Sequence, residues 1–318
     1  MNYGVLQLSS RHHHYLSQCY LKGFTQGNAK KSKLTVLDLK DKKKFETIPR
    51  NIGGMRDFNR VEIEGIDPEV VEKAQSDFEG KVATALRNIE ETREFKGDDR
   101  AIILELIGML SIKSPEMREH LAKPQIEIAK KLMAMEFESK ERWDRQVQET
   151  LEETGEDISG GMTFEEMKEF FESQEYEITV TQEHQIHMEL IGMQRITELL
   201  HLRDWVLVEK GDDAGEFITT DNPVSLTWFD SSQKPPFLSP GFGLIDTTVY
   251  FPLSKNLALV GEFDREDGKK LANKKLVAIL NSKIVANSYQ RVIASKATFD
   301  YMATGGEMKQ GNTLIQRA

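Results

Sequence analysis

The sequence predicts an α+β fold in which a helical body precedes a C-terminal, mainly antiparallel sheet. Between residues 61 and 204, apolar residues recur at the spacing of amphipathic helices. Between residues 205 and 261, five short apolar or alternating runs are separated by Gly, Asp, Asn and Pro, which is typical of strands and turns. A chain of 318 residues with 39% hydrophobic and 30% charged residues can bury a large core and has the composition of a globular protein.

Three consecutive histidines, His12, His13 and His14, precede a short amphipathic segment near the N-terminus. Residues 15–24 continue with apolar side chains at roughly helical intervals, so we expect a short helix packed into the core, with the imidazoles at its N-terminal end. Free backbone N–H groups and the positive end of the helix dipole would make that end a site for anions. This segment is therefore the first candidate for a binding site.

Two strand-like runs, 34–39 and 45–49, predict a hairpin. The polar loop 51–60 either lies over the site or is a surface connection. Together with the histidine segment they form a basic N-terminal segment, residues 1–60, with twelve Lys or Arg against four Asp or Glu. This excess of basic residues contrasts with the net charge of −10 for the whole chain and indicates a local electropositive face for DNA. The alternative is a solvated basic turn around Lys42-Lys43-Lys44.

Residues 61–204 are predicted to form the helical region. Asp67-Pro68 supplies an N-cap and a first-turn proline for a long helix. An acidic arm is expected near residues 124–177, and its part from 136 to 177 holds fifteen acidic residues against four basic ones. We expect this acidic arm to be the surface for a protein partner if the chain has one.

Residues 205–318 are predicted to form the sheet and a final long helix over 269–294, and to fold with the N-terminal segment as one composite domain. Between two predicted strands lies a turn that contains Asp221 and Asn222. A carboxylate and an amide at a strand end could activate water, stabilise an oxocarbenium-like sugar and read the edge of a base. Trp228 could stack on that base. The alternative is that Asp221 only hydrogen-bonds the turn backbone and that Trp228 belongs to the core.

The composition and motifs exclude several classes of protein. Cys19 is the single cysteine, which excludes an internal disulfide and a zinc site of the CxxC type. No apolar run approaches the roughly eighteen residues of a membrane helix, and the N-terminus lacks the pattern of a signal peptide. No strong metal motif is visible. We therefore expect a cytoplasmic protein that does not enter a membrane and uses no metal or other cofactor.

The histidine segment, His13-His14-Tyr15-Leu16-Ser17-Gln18-Cys19-Tyr20-Leu21-Lys22-Gly23-Phe24, resembles the opening signature of the domain-of-unknown-function family numbered 4238. That signature commonly reads His-His-Tyr-Val-Pro-Gln-x-Tyr-Leu-x-x-Phe. Further motifs follow in the order that the family shows: Asp57-Phe58, Glu79, Ser114-Pro115, the Asp221 turn and Phe251-Pro252-Leu253-Ser254.

The resemblance covers nearly the whole chain, and the acidic arm is its most divergent part. Ser17 stands where the family usually has proline, which leaves the start of the expected helix less rigid. The resemblance implies a common fold and a common site region of His14, Gln18, Glu79, Asp221 and Asn222. It implies no activity, but it suggests that relatives occur among bacterial phage-defence genes.

The first hypothesis for function is a nucleic-acid-directed hydrolase, namely a metal-independent DNA N-glycosylase that excises a base, normal or modified, from phage DNA. In this hypothesis Asp221 positions water or stabilises the sugar cation, Asn222 reads the extruded base, and His14 holds phosphate or protonates the leaving base. The candidate substrate-binding residues are His13, Gln18, Lys22, Asn59 and Trp228.

The second hypothesis is a metal-dependent nuclease with His13, His14, Glu79 and Asp221 as ligands. The third is a non-catalytic sensor that binds a nucleotide or a phage component and presents the acidic arm to a partner. A protein whose histidines are all structural is the remaining alternative. Both enzyme hypotheses require the histidine segment and the Asp221 turn to converge on one cleft.

Overall fold

The computed structural model describes residues 11–27, 31–230, 232 and 237–316. The chain divides into two compact units, Met1–Pro115 with Ile186–Ala318, and Glu116–Gln185. The α-helices are α1 (Gln18–Leu21), α2 (Val70–Thr92), α3 (Gly97–Ile112), α4 (Pro115–Glu136), α5 (Lys140–Thr154), α6 (Phe164–Ser173), α7 (Gln182–His201) and α8 (Lys274–Ala286). Within the residues that the structure describes, no helix is both long and apolar enough to cross a bilayer.

The strands are β1 (His12–His14), β2 (Leu34–Asp38), β3 (Lys43–Thr47), β4 (Gly54–Arg56), β5 (Asp204–Lys210), β6 (Thr219–Thr220), β7 (Ser225–Trp228), β8 (Thr247–Pro252), β9 (Leu257–Glu262), β10 (Gly268–Ala272), β11 (Arg291–Ala294), β12 (Asp300–Met302) and β13 (Met308–Gln310). They form a five-stranded sheet in the order β10-β5-β9-β8-β7, a four-stranded sheet β3-β2-β11-β6, and the ribbons β1-β4 and β12-β13. Strand β10 runs parallel to β5, and the other pairs among the described strands are antiparallel. The predicted α+β fold with a mainly antiparallel sheet is confirmed.

The main core holds the short helix α1 against α2 and the five-stranded sheet. Tyr20 of α1 is fully buried and stacks on Phe251 of β8, with 5.2 Å between ring centroids and 17° between ring planes. Helix α2 contributes Val82, Ala85 and Ile89, which share one helical face. A single helical turn is unstable by itself, so burial of side chains such as Tyr20 stabilises α1, at about 1.5–3 kcal/mol for each large apolar group.

The prediction that the three histidines begin a helix is wrong. They form strand β1, in which His12 pairs with Arg56 and His14 with Gly54 of β4. The backbone N–H groups of Tyr15 and Leu16 donate to the Gly53 carbonyl oxygen at 2.9 and 3.0 Å, which turns the chain away from a helical path. Helix α1 begins only at Gln18 and has four residues, so the histidines do not lie at its N-terminal end, and anion binding there stays a prediction without the imidazoles that were expected to support it.

The predicted final helix over residues 269–294 is a strand, a shorter helix and a second strand. Asn273 ends β10 and caps α8, because its side-chain oxygen accepts the Leu276 N–H at 2.9 Å. Leu271, an apolar residue that a helix over 269–294 would be expected to bury, is 71% exposed. The chain leaves α8 at Ala286 and returns as β11 in the four-stranded sheet.

The second unit, Glu116–Gln185, contains α5 and α6. Its aromatic centre is Phe137, whose ring lies 5.2 Å from that of Trp143 and 4.9 Å from that of Phe171. Thr163 and Glu166 form a capping box at the start of α6. The acidic arm falls within this unit, and its role in binding a protein partner stays a prediction.

Candidate functional site

His13 and Asn59, two predicted substrate-binding residues, are fully buried beside α2. His13 Nδ1 accepts the Asn59 backbone N–H at 2.9 Å, and its Nε2 lies 3.3 Å from Glu69 Oε2. The Asn59 amide donates to Glu72 at 2.5 Å and to Gln75 at 2.9 Å. Because both side chains lie inside the protein and bond to it, they fix the 51–60 loop to α2, which argues against direct contact with a substrate.

His14 has partners on both ring nitrogens. Nε2 lies 3.1 Å from the Arg50 carbonyl oxygen, which can only accept, so this contact assigns the proton to Nε2. Nδ1 then accepts the Gln18 amide at 3.4 Å. Burial lowers the pKa of the ring below its ordinary 6.5, so His14 is neutral at neutral pH. The predicted roles as a phosphate-binding cation or an acid both require the protonated ring, and the surroundings of His14 oppose that form.

One face of α2 carries Gln75, Glu79, Ala83 and Arg87 at successive intervals of four residues. Its N-terminal part lies under the histidine segment, because Gln75 Nε2 donates to the His14 carbonyl oxygen at 2.7 Å. Its C-terminal part, including Ala83 and Arg87, lines a cleft of about 600 Å³. This face therefore joins the histidine segment to the cleft.

The carboxylate of Glu79 is half-buried on this face. Within the described residues its one hydrogen bond comes from Gln75 Nε2 at 3.4 Å, which is long for such a bond. Gln75 is itself engaged elsewhere, since its Oε1 also accepts from Asn59 and from the Lys113 ammonium. Glu79 thus keeps most of its capacity to accept hydrogen bonds.

The cleft lies between α1, α2 and the turn after β8, and Lys22 and Arg87 are on its wall. Both side chains are exposed, and among the described residues neither forms an ion pair. The cleft's carboxylate, Glu90, is already bonded: it accepts from Ser254 Oγ at 2.9 Å and from Asn256 Nδ2 at 2.6 Å. The positive charges of Lys22 and Arg87 are therefore available to an anionic ligand.

Cys19 links the two ends of this site. Its thiol lines the cleft and lies within electrostatic reach of both Glu79 and Lys22. Burial raises the thiol pKa to about 12, so Cys19 is protonated at neutral pH and is not a thiolate nucleophile. We call the surface formed by Gln18, Cys19, Lys22, Glu79 and Arg87 the α1–α2 groove.

Asp221 is bonded in a different way. Its Oδ1 accepts the Tyr289 N–H at 3.0 Å, and its Oδ2 accepts the N–H groups of Gln290 and Arg291, both at 2.8 Å. The residue is only 9% exposed. Both oxygens therefore hold the chain between α8 and β11, and the catalytic role predicted for Asp221 stays a prediction that this bonding does not favour.

Asn222 continues the same pattern. Its amide donates to the Asn287 carbonyl oxygen at 2.9 Å, and the Asn287 amide donates back to the carbonyl oxygens of Asn222 and Val224, both at 2.9 Å. These bonds fasten the turn before β7 to the end of α8. Asn222 is thus placed to stabilise the sheet, and its reading of a base also stays a prediction.

Trp228 lies on β7, the edge strand of the five-stranded sheet. Its indole Nε1 donates to the Leu238 carbonyl oxygen at 3.2 Å.

The residues that line the cleft include neither Trp228 nor the Asp221 turn. Helix α1 contacts β6 through a 2.7 Å hydrogen bond between the Tyr20 and Thr219 hydroxyl groups, and both residues are fully buried. Helix α1 and strand β6 are therefore packed together without an opening at this point, and a shared cleft for the histidines and Asp221 stays a prediction that this packing does not favour.

The structure joins His14 to Gln18 and His13 to Asn59 and places Lys22 on the cleft wall, but their roles in binding a substrate stay predictions. It adds Arg87, which no motif marked, and a bonding environment that singles out Glu79, which the sequence indicated only through the family resemblance and the nuclease hypothesis. The four-residue spacing from Gln75 to Arg87 is a signal that could have found both. In the part of the chain that the structure describes, no group of three or more His, Cys, Asp or Glu side chains is arranged to hold a metal ion.

Comparison with known proteins gives one match. Residues 12–298 match the model of the family described as "Protein of unknown function (DUF4238)". No curated protein and no solved structure matches the chain. The matched region begins at the strand of histidines, extends through α8 and ends in the segment after β11. The chain belongs to the DUF4238 family.

Proposed function

We propose that this protein is a nucleic-acid-directed hydrolase, a metal-independent DNA N-glycosylase that acts in the cytoplasm on phage DNA, and that its active site is the α1–α2 groove. The observation that carries the proposal is the Glu79 carboxylate, which is half-buried and holds one long hydrogen bond within the described residues. A carboxylate with free acceptor capacity can take a proton from water or stabilise a sugar cation. Asp221, with three backbone donors on its two oxygens, is less suited to either task.

Lys22 and Arg87 supply the binding of DNA in this proposal. Glu79 and Arg87 are eight residues apart on α2, which places them about 12 Å apart along the helix axis. That separation lets the phosphates beside a target nucleotide contact the basic cleft while its sugar lies near Glu79. Phosphate contacts of this kind position DNA without reading its sequence.

The reaction itself requires one water molecule. The water oxygen bonds to C1′ of the deoxyribose as the bond from C1′ to the base nitrogen breaks, and the electron pair of that bond stays on the base. Glu79 takes the proton of the attacking water, and the departing base takes a proton from solvent. His14, neutral and held between Arg50 and Gln18, orients the Gln18 amide at the edge of the groove.

The test is an assay for abasic sites on single-stranded and duplex DNA that contains normal or modified bases, with alkali used to cleave at each site. The wild type should release a base in the presence of chelator. Glu79→Gln should lower the rate by about 100-fold or more, the range for loss of an acid–base group. Glu91→Gln, at an exposed position on the same helix, is the matched control and should keep the wild-type rate.

The proposal is wrong if no DNA yields alkali-labile sites. Cleavage of phosphodiester bonds that chelator abolishes and a divalent ion restores would instead establish a nuclease. Binding of nucleic acid with no turnover, retained in Glu79→Gln, would indicate a sensor.

A further inference from the structure

An exposed, mainly apolar stripe runs along α4 in the second unit. Ile128, Leu132 and Met135 are 58%, 56% and 48% exposed, and with Gln125 they recur at alternating intervals of three and four residues. Residues at these intervals lie on one face of a helix and form the contact surface of coiled coils. Neighbouring apolar side chains on a surface mark a site of association. We call Gln125, Ile128, Leu132 and Met135 the α4 seam.

The seam is a narrow face. On the adjacent face of α4, Ile126 and Ala129 are half-buried. The far side of the helix carries charged residues, among them Glu127 and Lys130, which pair with each other at 3.5 Å. A single stripe of this kind has the width that one facing helix covers, because each of its side chains inserts between residues of that helix.

The distribution of charge favours a second copy of the chain at this face. Helix α4 holds four acidic and four basic residues, whereas residues 136–177 hold fifteen acidic and four basic ones. Each copy has a net charge of −10, so contact between two strongly acidic surfaces is repulsive. The balanced charge of α4 avoids that repulsion.

Two charged residues that flank the seam define how two copies align. Lys131 and Glu136 lie on opposite sides of the seam, and neither forms an ion pair within the described residues. In two parallel helices in register, a residue on one flank faces the residue five positions later on the other helix. Lys131 therefore faces Glu136 of the second copy, and the twofold symmetry repeats the pair. Two Gln125 amides also meet in this register, and a polar pair within a seam fixes the alignment of the helices.

We propose that the α4 seam is the interface of a parallel, twofold-symmetric homodimer, in which Lys131 of each copy pairs with Glu136 of the other. The seam is about 15 Å long, which gives an interface below the roughly 1,200 Å² of stable complexes. We therefore expect weak association, with a dissociation constant of about 1–100 μM. The proposal concerns the second unit alone and does not depend on the reaction in the α1–α2 groove.

The first test is sedimentation equilibrium of the whole chain between about 1 and 300 μM. Ile128→Glu and Leu132→Glu each place a charge in the apolar contact and should weaken the dimer at least about tenfold. Leu151→Glu, at a 47% exposed position on α5, is the matched control and should dimerise like the wild type. The replaced side chains are exposed in the single chain, so the variants should fold, which circular dichroism checks.

The second test exchanges the flanking charges. Lys131→Glu alone and Glu136→Lys alone each replace two attractive pairs with two repulsive ones and should weaken the dimer about tenfold. The two substitutions together restore opposite charges across the interface and should return the dissociation constant to within about threefold of the wild type. A general effect of either substitution on folding would not be reversed in this way.

The third test establishes the orientation of the two helices. In a parallel pair Met135 faces Met135 of the second copy, whereas in an antiparallel pair it faces Gln125. Met135→Cys should therefore form a disulfide between two copies under mild oxidation, because such a bond requires Cα atoms within about 7 Å. Ala134→Cys, at the neighbouring exposed position outside the seam, is the matched control and should crosslink at least about tenfold more slowly.

Three results would overturn the proposal. A monomeric mass up to about 300 μM would assign the seam to a partner other than a second copy. A dimer that Ile128→Glu and Leu132→Glu both leave intact would place the interface elsewhere. Crosslinking of Met135→Cys no faster than that of Ala134→Cys would exclude the parallel register.

Discussion

The α1–α2 groove and the Asp221 turn differ in how completely their polar groups are bonded. At the turn, one carboxylate takes three backbone N–H donors from residues 289–291. In the groove, the Glu79 carboxylate takes one long bond from Gln75, and Lys22 and Arg87 face open space. A carboxylate that is saturated by backbone donors stabilises a fold, whereas one with free acceptor capacity can serve a ligand. The same type of side chain thus has opposite uses in the two regions.

The largest expected effect concerns the turn. Asp221→Ala leaves three backbone N–H groups without their acceptor, and each loss costs about 1–3 kcal/mol. We expect the free energy of unfolding, measured in urea, to fall by about 3–5 kcal/mol in total, with losses that do not add fully. Asp213→Ala, at an exposed position in the segment between β5 and β6, is the control. It should change the free energy of unfolding by less than about 0.5 kcal/mol. A stability loss below about 1 kcal/mol in Asp221→Ala would contradict the structural role.

The next effect concerns the basic side of the groove. Lys22→Ala combined with Arg87→Ala removes two cations that would contact phosphate. The slope of the logarithm of DNA affinity against the logarithm of salt concentration should become shallower by about 2. Lys81→Ala combined with Lys270→Ala removes the same charge at exposed positions and is the control. If both double variants change the slope equally, DNA does not bind preferentially at the groove.

A smaller effect concerns pH. Burial lowers the pKa of His14 in the folded protein, so the unfolded chain, whose histidine titrates near 6.5, takes up the proton first. The free energy of unfolding is therefore retained above about pH 6.5 and decreases as the pH falls from 7 to 5.5. For one group the slope is at most about 1.4 kcal/mol per pH unit.

The measurement for this effect is urea unfolding at several pH values between 5.5 and 7. His14→Gln should lessen the loss of stability on acidification. His201→Gln changes an exposed histidine at the end of α7 and should keep the wild-type dependence. An identical slope in the wild type and His14→Gln would show that the ring takes up its proton as easily in the folded protein as in the unfolded chain.

The sequence predicts those elements whose determinants are local. The hairpin forms as β2 and β3, because its alternating strands flank a short polar turn. The histidines form a strand only because β4, some forty residues later, pairs with them. Strand β10 forms because it joins β5, about sixty residues earlier. Partners that are distant in the sequence therefore override the local helical pattern in both places.

The site shows the same limit. The spacing of Glu79 and Arg87 on α2 can be read from the sequence, but their free bonding capacity cannot. Asp221 resembles a catalytic carboxylate at a strand end until the N–H groups that it accepts, from residues 289–291, are known. Which carboxylate is saturated depends on chain packing across some seventy residues, and local patterns do not report it.

The most direct test compares base release by Glu79→Gln and Asp221→Asn, with each rate corrected for the fraction of folded protein. We expect Glu79→Gln to lose about 100-fold or more in rate while its stability changes by less than about 1 kcal/mol. We expect Asp221→Asn to lose stability and to keep the rate of its folded fraction within about threefold. A Glu79→Gln protein with the wild-type rate, or an Asp221→Asn protein that is stable and inactive, would show that Glu79 is not the catalytic carboxylate.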